Sequence, residues 1–558
     1  MHAIFWLVIG VIFFATRFFG LSQPYHQDEY KWALIVSPIH YNYEGIIPHP
    51  PLAEKIYAFA GALFGLDYLR IVPAFGSLVL LIGIYLYLKD RFSRSAAYVA
   101  IVIFTANLYA LIASLQIDID GILLPLFIFT TLVSYEYLQK ALPDKRRRWI
   151  ILFFVGFIGG CFVKLSFVLA PIAIFIYELP RIYARAKFLG FRGFAKNKWY
   201  VSSAFFVLFL LITVSLFFKQ VYFVEYIRNF FGSADSRNVT QLIVLTAKSL
   251  IYASPVLVVG LFLGIFEYKK LRIWYIFLLL SFIFYFVLFD FSHRTLDRYL
   301  MFIILPSTII GGVALGQFID NYNLWNRKFA AQVLIVSSII AFPVYLMIRN
   351  IQTILPLLPK TLIFEHIKSL DFSVLIPLSG GSGPLGFYFP LNLVIYTWFF
   401  TLLLAGIFMC RKFSERIRTY SFILFIAICL VSSVIGIEEY IYGGLFGSVS
   451  VVEKSLLNSI ENDLDIKQVI TYNDIGAFEL SKMGKYYKRF YIHPQFIGDN
   501  VIKFNSFDGY YLVLNFPALD KDSIYTKFFS TCSVKYRTVD KLVSGEVFDC
   551  RGKKISNN

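Results

Sequence analysis

Residues 3–21 read AIFWLVIGVIFFATRFFGL, and the chain then turns polar through Gln27-Asp28-Glu29-Tyr30-Lys31-Trp32. The first stretch has the length and apolar character needed to cross a bilayer as a helix, which takes about 20 residues. A helix satisfies its own backbone polar groups where no water is at hand. No basic segment precedes the run and no small-residue cleavage site lies near Leu21, so it reads as a retained helix rather than a signal peptide. The acidic pair just beyond it, with His49-Pro50-Pro51-Leu52 some twenty residues later, places titratable groups at a membrane surface. Such groups point to chemistry on a membrane-embedded substrate.

The composition extends this reading to the whole chain. Of 558 residues, 58% are hydrophobic, 19% aromatic and 16% charged. Soluble domains carry roughly 25% charged residues, and a soluble protein could not hide this much apolar surface. Apolar runs recur at 2–21, 69–88, 95–114, 120–138, 149–163, 165–180, 201–218, 246–266, 273–290, 300–318, 329–348, 390–409 and 419–437. This is a polytopic α-helical membrane protein with about 13 transmembrane helices. The runs 149–163 and 165–180 are either two short helices broken at Gly159-Gly160 or one long buried helix.

Basic clusters fall after every second run: Lys89, Arg91 and Arg94; Lys145 to Arg148; Arg181 to Lys198; Lys269, Lys270 and Arg272; Arg327 and Lys328; Arg411 to Arg418. The positive-inside rule makes that side cytoplasmic, which puts the N-terminus inside and the C-terminus outside. A net charge of +17 is then largely orientation signal. No nucleic-acid motif accompanies it, and no nucleic-acid partner is expected. Cys161, Cys410 and Cys429 lie in or beside spans as packing residues. Cys532 and Cys550 lie in the external tail, where a disulfide is permitted but not required.

The longer loops lie on the external side. Residues 1–440 are predicted to form the membrane domain and 441–558 a small extracytoplasmic α/β domain. Strand-like runs occur at 468–472 and 510–514. Helical spacing runs through 450–464, and a further helix is expected from Asp474 to Met483. Gly380-Gly381-Ser382-Gly383-Pro384 is a flexible turn. Lys482, Lys485, Lys488 and Arg489 form either a plain solvated face or a contact for glycan or anionic headgroups.

Three external clusters can carry chemistry. Asp28 and Glu29 either act on a proton or simply favour the start of a surface helix. In the same loop Pro50-Pro51 fixes the chain path, while His49 either carries a proton, orients a phosphate or makes a structural hydrogen bond. Asp118 and Asp120 either cap the next helix or bind a cation as a DxD-like pair. In Asp290-Phe291-Ser292-His293-Arg294-Thr295-Leu296-Asp297-Arg298-Tyr299, arginines stand on the side where the positive-inside rule disfavours them. They either bind phosphate through their planar donors or pair with Asp290 and Asp297. Lys164 raises the same question.

In order and sidedness, Asp28-Glu29, His49-Pro50-Pro51-Leu52, Asp118 with Asp120, and Arg298-Tyr299 resemble the protein O-mannosyltransferase superfamily. Its wider class, the GT-C glycosyltransferases, includes the aminoarabinose transferases that act on lipid A. In the family Pro-Pro-Leu is commonly followed by Gly-Lys, whereas here Ala53-Glu54-Lys55 displaces the basic residue by one. The resemblance implies the GT-C fold and a multi-pass plasma-membrane glycosyltransferase. It implies a polyprenyl-phosphate sugar as donor and a hydroxyl on a glycolipid, glycan or protein as acceptor. Asp28 would be the catalytic base, and Arg298, Lys55, His293 and Arg294 would steady the departing phosphate. Glu29 or Asp118 would position sugar hydroxyls, with His49, Asp120 and Tyr299 completing the substrate-binding set. No metal and no cofactor are expected. Three rival readings exist: a diphosphate-dependent oligosaccharide transferase or polymerase, a receptor built around the tail, and a lipid-linked-sugar transporter. For the transporter, the sequence shows no paired broken spans.

Overall fold

The computed structural model describes residues 2–26, 28–37, 51–140, 142–195, 239–288, 297–324, 327–351, 357–378, 386–492 and 496–555. The membrane part opens with α1 (His2–Leu21), the short α2 (Asp28–Ile35), α3 (Pro51–Phe64) and α4 (Ile71–Arg91). Then come α5 (Arg94–Ala106), α6 (Leu108–Leu115), α7 (Leu124–Leu138), α8 (Pro143–Val163) and α9 (Leu169–Ala195). After the expected span 201–218, which lies outside the described residues, follow α10 (Val239–Gly264), α11 (Tyr268–Phe282), α12 (Ile304–Asn321) and α13 (Arg327–Ile351). Next are α14 (Lys360–Lys368), a hairpin of β1 (Leu375–Leu378) and β2 (Phe387–Pro390), α15 (Leu391–Met409) and α16 (Glu415–Tyr442). Among the described residues eight helices are long and apolar enough to cross a membrane, and up to 9 if a bent pair is one span. The expected runs 149–163, 246–266 and 273–290 form α8, α10 and α11. Of these, α8 opens on Lys145 to Arg148, α10 is interrupted at Ser254, and α11 has 15 residues.

Two features correct the sequence expectation. The chain breaks between α8 and α9 at Lys164, whose backbone is extended, and not at Gly159-Gly160. The expected continuous span 95–114 is two helices, α5 and α6, bent by 66° at Asn107. A second break falls inside α10, where Ser254 takes φ 62° just before Pro255. Paired broken helices are therefore present. Each break frees backbone N–H and carbonyl groups that lipid cannot satisfy. Asn107 answers both: its Oδ1 accepts from Ala110 N at 3.1 Å, and its Nδ2 donates to the Ala253 carbonyl at 2.7 Å. Arg17 reaches from α1 to donate to the Thr105 carbonyl at 3.2 Å.

Helix approach at the centre depends on small residues. Added at Gly260 of α10, a Cβ would lie 2.6 Å from Gly311 Cα of α12, and at Gly312 it would lie 2.6 Å from Ala100 Cβ of α5. With no hydrophobic drive between helices in lipid, such close backbone contact supplies the packing energy.

The C-terminal region is α/β, as expected. It contains α17 (Val449–Asn462), β3 (Val469–Tyr472), α18 (Ala477–Lys482), β4 (Tyr486–Phe490) and α19 (Ile497–Ser506). It ends with β5 (Tyr510–Leu514), α20 (Ile524–Phe529), β6 (Ser533–Asp540) and β7 (Val543–Asp549). The sheet order is β4-β3-β5-β7-β6, with β4, β3 and β5 parallel and the rest antiparallel. Apolar layers cover both faces: Val452, Leu456 and Ile460 of α17 on one, Phe504, Phe528 and Phe529 on the other. Cys532 and Cys550 form a disulfide.

Two predictions follow from packing and burial. Gly312→Leu should lower the apparent melting temperature in detergent, since overpacking costs about 1–3 kcal/mol. Gly10→Ala, whose Cβ would meet nothing within 4 Å, should leave it unchanged. Burial pushes the Glu453 carboxyl of α17 up to about 8 from its ordinary 4.5. The folded chain therefore keeps that proton while the unfolded chain loses it, and stability falls as pH rises from 4.5 to 8. Glu453→Gln should match the parent near pH 4.5 and exceed it increasingly up to pH 8, by on the order of 4 kcal/mol. Melting curves across that range read the difference.

Candidate active site

The acidic pair opens α2, and its two carboxylates do different things. Glu29 is fully buried against an equally buried Arg70, the residue before α4. Arg70 Nε donates to Glu29 Oε1 at 3.1 Å and Nη2 to Oε2 at 2.7 Å. The remaining guanidinium hydrogens reach the carbonyls of Pro24 at 2.8 Å, Gly20 at 3.4 Å and Gln23. Glu29 also accepts from His26 N at 3.3 Å and Ile117 N at 3.1 Å. A buried pair with its lone pairs and hydrogens filled in this way offsets its desolvation cost. Asp28, by contrast, is half-exposed and paired with Lys31 at 2.6 Å, one turn along α2.

Through Ile117, Glu29 also holds the second acidic turn. Asp118 caps the wide helical turn Ile119–Leu123, accepting from Ile119 N at 2.5 Å and from Gln116 Nε2 at 3.2 Å. Its carbonyl accepts from the buried Tyr57 hydroxyl of α3 at 2.8 Å. Asp120 takes Lys164 Nζ on both carboxylate oxygens at 2.6 Å. That ammonium sits 5.5 Å from the centre of the Tyr299 ring. Beside it a narrow gap with only ≈ 10 Å³ of open space, about room for one water, is lined by Asp120, Phe277, Tyr285, Tyr299 and Phe302, with aliphatic neighbours. The arrangement is a buried cation, held by Asp120, beside an aromatic and aliphatic wall.

The structure thus joins Asp28, Glu29, Asp118, Asp120 and Tyr299 in one region. It corrects one expectation: Glu29 holds Arg70 and backbone N–H groups instead of standing open to sugar hydroxyls. Of the two readings left open for the second acidic turn, Asp118 takes the capping one, while Asp120 holds Lys164. Lys55 is exposed on α3. His49, His293 and Arg294 lie outside the described residues, as does the Arg298 side chain; Arg298 itself belongs to the short helix Asp297–Ile303. Among the described residues no group of three His, Cys, Asp or Glu side chains could hold a metal. Arg70 escapes the sequence reading, although an arginine at the external end of a span is the same signal that singles out Arg294 and Arg298.

The C-terminal region adds polar groups. Asp474 is fully buried and accepts from Arg489 Nη1 at 3.1 and 3.2 Å and from the Tyr491 hydroxyl. Burial would lower the Arg489 guanidinium, but the Asp474 carboxylate beside it holds it above its ordinary value. Burial, then the same carboxylate, raises the Tyr491 phenol.

This architecture is the GT-C fold, and the chain is a multi-pass membrane protein. A family model described as dolichyl-phosphate-mannose-protein mannosyltransferase matches residues 48–217. The fold is similar to that of ArnT from Cupriavidus metallidurans bound to undecaprenyl phosphate, at 14% identity and a TM-score of 0.51, covering 98% of this chain and 97% of that one. The apo form of the same ArnT gives 14% identity and a TM-score of 0.50 over 98% and 97%. The archaeal oligosaccharyltransferase AglB from Archaeoglobus fulgidus, in complex with an inhibitory peptide and a dolichol-phosphate, gives 10% identity and 0.41 over 86% and 64%. No curated protein matches the chain by sequence.

Breaking the central ion pair should be costly. Arg70→Ala or Glu29→Ala should each destabilise by about 3–5 kcal/mol, because each leaves a buried charge without its partner. The double variant should cost clearly less than the sum. Melting of the three variants in detergent measures the coupling.

Proposed function

We propose that the chain is an inverting glycosyltransferase that moves a sugar from a polyprenyl-phosphate donor to an acceptor hydroxyl at the extracytoplasmic membrane face. The observation that carries this is the partly exposed carboxylate Asp28, whose neighbour Glu29 is tied through Ile117 N to the acidic turn that holds Lys164 beside the Tyr299 ring. The undecaprenyl phosphate bound by the structurally similar ArnT supports the donor class.

In this scheme Asp28 takes the acceptor hydroxyl proton as general base. The acceptor oxygen bonds to the anomeric carbon from the face opposite the phosphate, and the carbon–oxygen bond to the phosphate breaks. The electron pair leaves with the phosphate, and configuration inverts. Charge gathering on the phosphate oxygens is met by fixed cations: Lys164, with Arg298, Arg294, His293 and Lys55 as further candidates. Asp120 aims Lys164, Glu29 fixes the frame around Asp28, and His49 and Asp118 complete the substrate-binding set. The scheme uses no metal.

A transporter reading gains one observation, the broken helices that meet at Asn107 and Ala253. The two readings separate in one experiment. Purified protein in liposomes is given undecaprenyl-phosphate sugars one at a time, with a glycolipid, glycan or peptide acceptor, and release of undecaprenyl phosphate is followed. Asp28→Asn should lower release by about 100-fold or more while undecaprenyl phosphate still binds. Parent-level release in Asp28→Asn removes Asp28 as base. Lipid translocation without release in the parent protein favours the transporter.

A further inference from the structure

The carboxyl ends of parallel strands are where α/β sheets ordinarily take their ligands. Here the ends of β3 and β4 face α2 instead. After β3 the backbone makes a turn in which two successive non-glycine residues, Asn473 and Asp474, take φ of 56° and 62°. Left-handed backbone at such residues is held only where surrounding contacts over-determine it. The contacts here run to the membrane part. His26 Nε2 donates to the Asn473 carbonyl at 2.7 Å. Arg489, near the end of β4 and ion-paired to Asp474 at 3.1 Å, donates from the same Nη1 to the Tyr30 hydroxyl at 2.8 Å.

His26 and Tyr30 lie two residues before and two residues after Asp28. Both are pinned to the same turn. Tyr491, whose hydroxyl donates to Asp474, also feels the charge of Asp28. The Tyr30 ring meets that of Tyr486, 6.2 Å away. The base candidate therefore sits at the start of a short helix, between two residues that are fastened by the C-terminal region. Eight residues are too few for a helix to hold itself in water, so contacts from outside α2, this fastening together with the Glu29–Arg70 pair, decide where Asp28 points.

We infer that the Asn473-Asp474 turn and Arg489 form a clamp that positions Asp28, making the C-terminal region a working part of the active site and Arg489 a positioning residue. The consequence for turnover rests on the assignment of Asp28 proposed above; the clamp itself does not.

Hydrogen exchange on the full chain in detergent tests the clamp directly. Arg489→Ala should speed exchange over 28–35 about tenfold, with 469–472 and 510–514 unchanged. Arg489→Lys, which keeps the charge but not the fork, should fall between. Unchanged exchange over 28–35 in Arg489→Ala overturns the clamp. Should that variant loosen the whole sheet, Tyr30→Phe decides, since it removes a single oxygen from the other side. About threefold faster exchange at 28–35 then supports the clamp, and parent rates overturn it.

Release of undecaprenyl phosphate from an undecaprenyl-phosphate sugar tests the consequence. Arg489→Ala should lower kcat about 100-fold with KM within about twofold, as expected for a misaimed base, and Arg489→Lys should recover part of it. If Asp28→Asn abolishes release while Arg489→Ala keeps the parent kcat, the positioning role fails and the Asp28 assignment stands. If Asp28→Asn releases at the parent rate, the Asp28 assignment fails, and the exchange measurement alone judges the clamp.

Discussion

One buried ion pair carries the geometry of the site. Arg70 gathers three backbone carbonyls from the end of α1 and the link after it, and joins them to Glu29. Glu29 passes the constraint on to the turn before Asp118 through Ile117 N. Tyr25 adds to the same junction: its hydroxyl donates to the Leu66 carbonyl at 2.7 Å and accepts from Leu69 N at 2.9 Å. Two charges out of water would be ruinous if either lacked partners. Here the saturation of both makes a rigid joint between α1, α2, α4 and the acidic turn. Asp28 stands on that joint, so one acid of the pair is locked by Arg70 while its neighbour, paired with Lys31, stays partly exposed.

The membrane imposes the second constraint. A broken helix in lipid exposes carbonyls that nothing else can satisfy. The two breaks in this bundle are placed where they meet, so Asn107 serves one helix as a cap and the other as a donor. The glycines of α10 and α12 allow the close helix contact that keeps those partners in reach. Local irregularity and tight packing are thus two parts of a single solution.

Charge is sorted by exposure around the site. Fully buried carboxylates, Glu29 and Asp474, hold arginines and fix the frame. Asp120 holds Lys164 at an apolar slot, and half-exposed Asp28 faces outward. The lysines and arginine that read as a solvated face of the tail are mostly engaged as well: Lys482 with Asp67, Lys485 with the Ile460 carbonyl, Arg489 with Asp474 and Tyr30. The C-terminal region is consequently docked onto the membrane part through specific polar contacts, and its sheet edge is used to support α2.

The sequence by itself determined the membrane class, most of the spans, and the strands at 469–472 and 510–514, and it singled out the acids Asp28, Glu29, Asp118 and Asp120 that the fold brings into one region. These are local properties: hydropathy over one helix, alternation over one strand, acids beside an apolar run. The bend at Asn107 escaped it, since it lies inside a continuous apolar run and is stabilised by a distant group, and the break between two runs, which the glycines place at Gly159-Gly160, falls instead at Lys164. The roles of the carboxylates also required the tertiary structure. Glu29 meets a partner 41 residues away, Asp120 one 44 residues away, and Tyr30 one 459 residues away. Whether an acid is locked in the interior or left partly exposed depends on which distant cation the fold brings to it, and no local pattern encodes that choice.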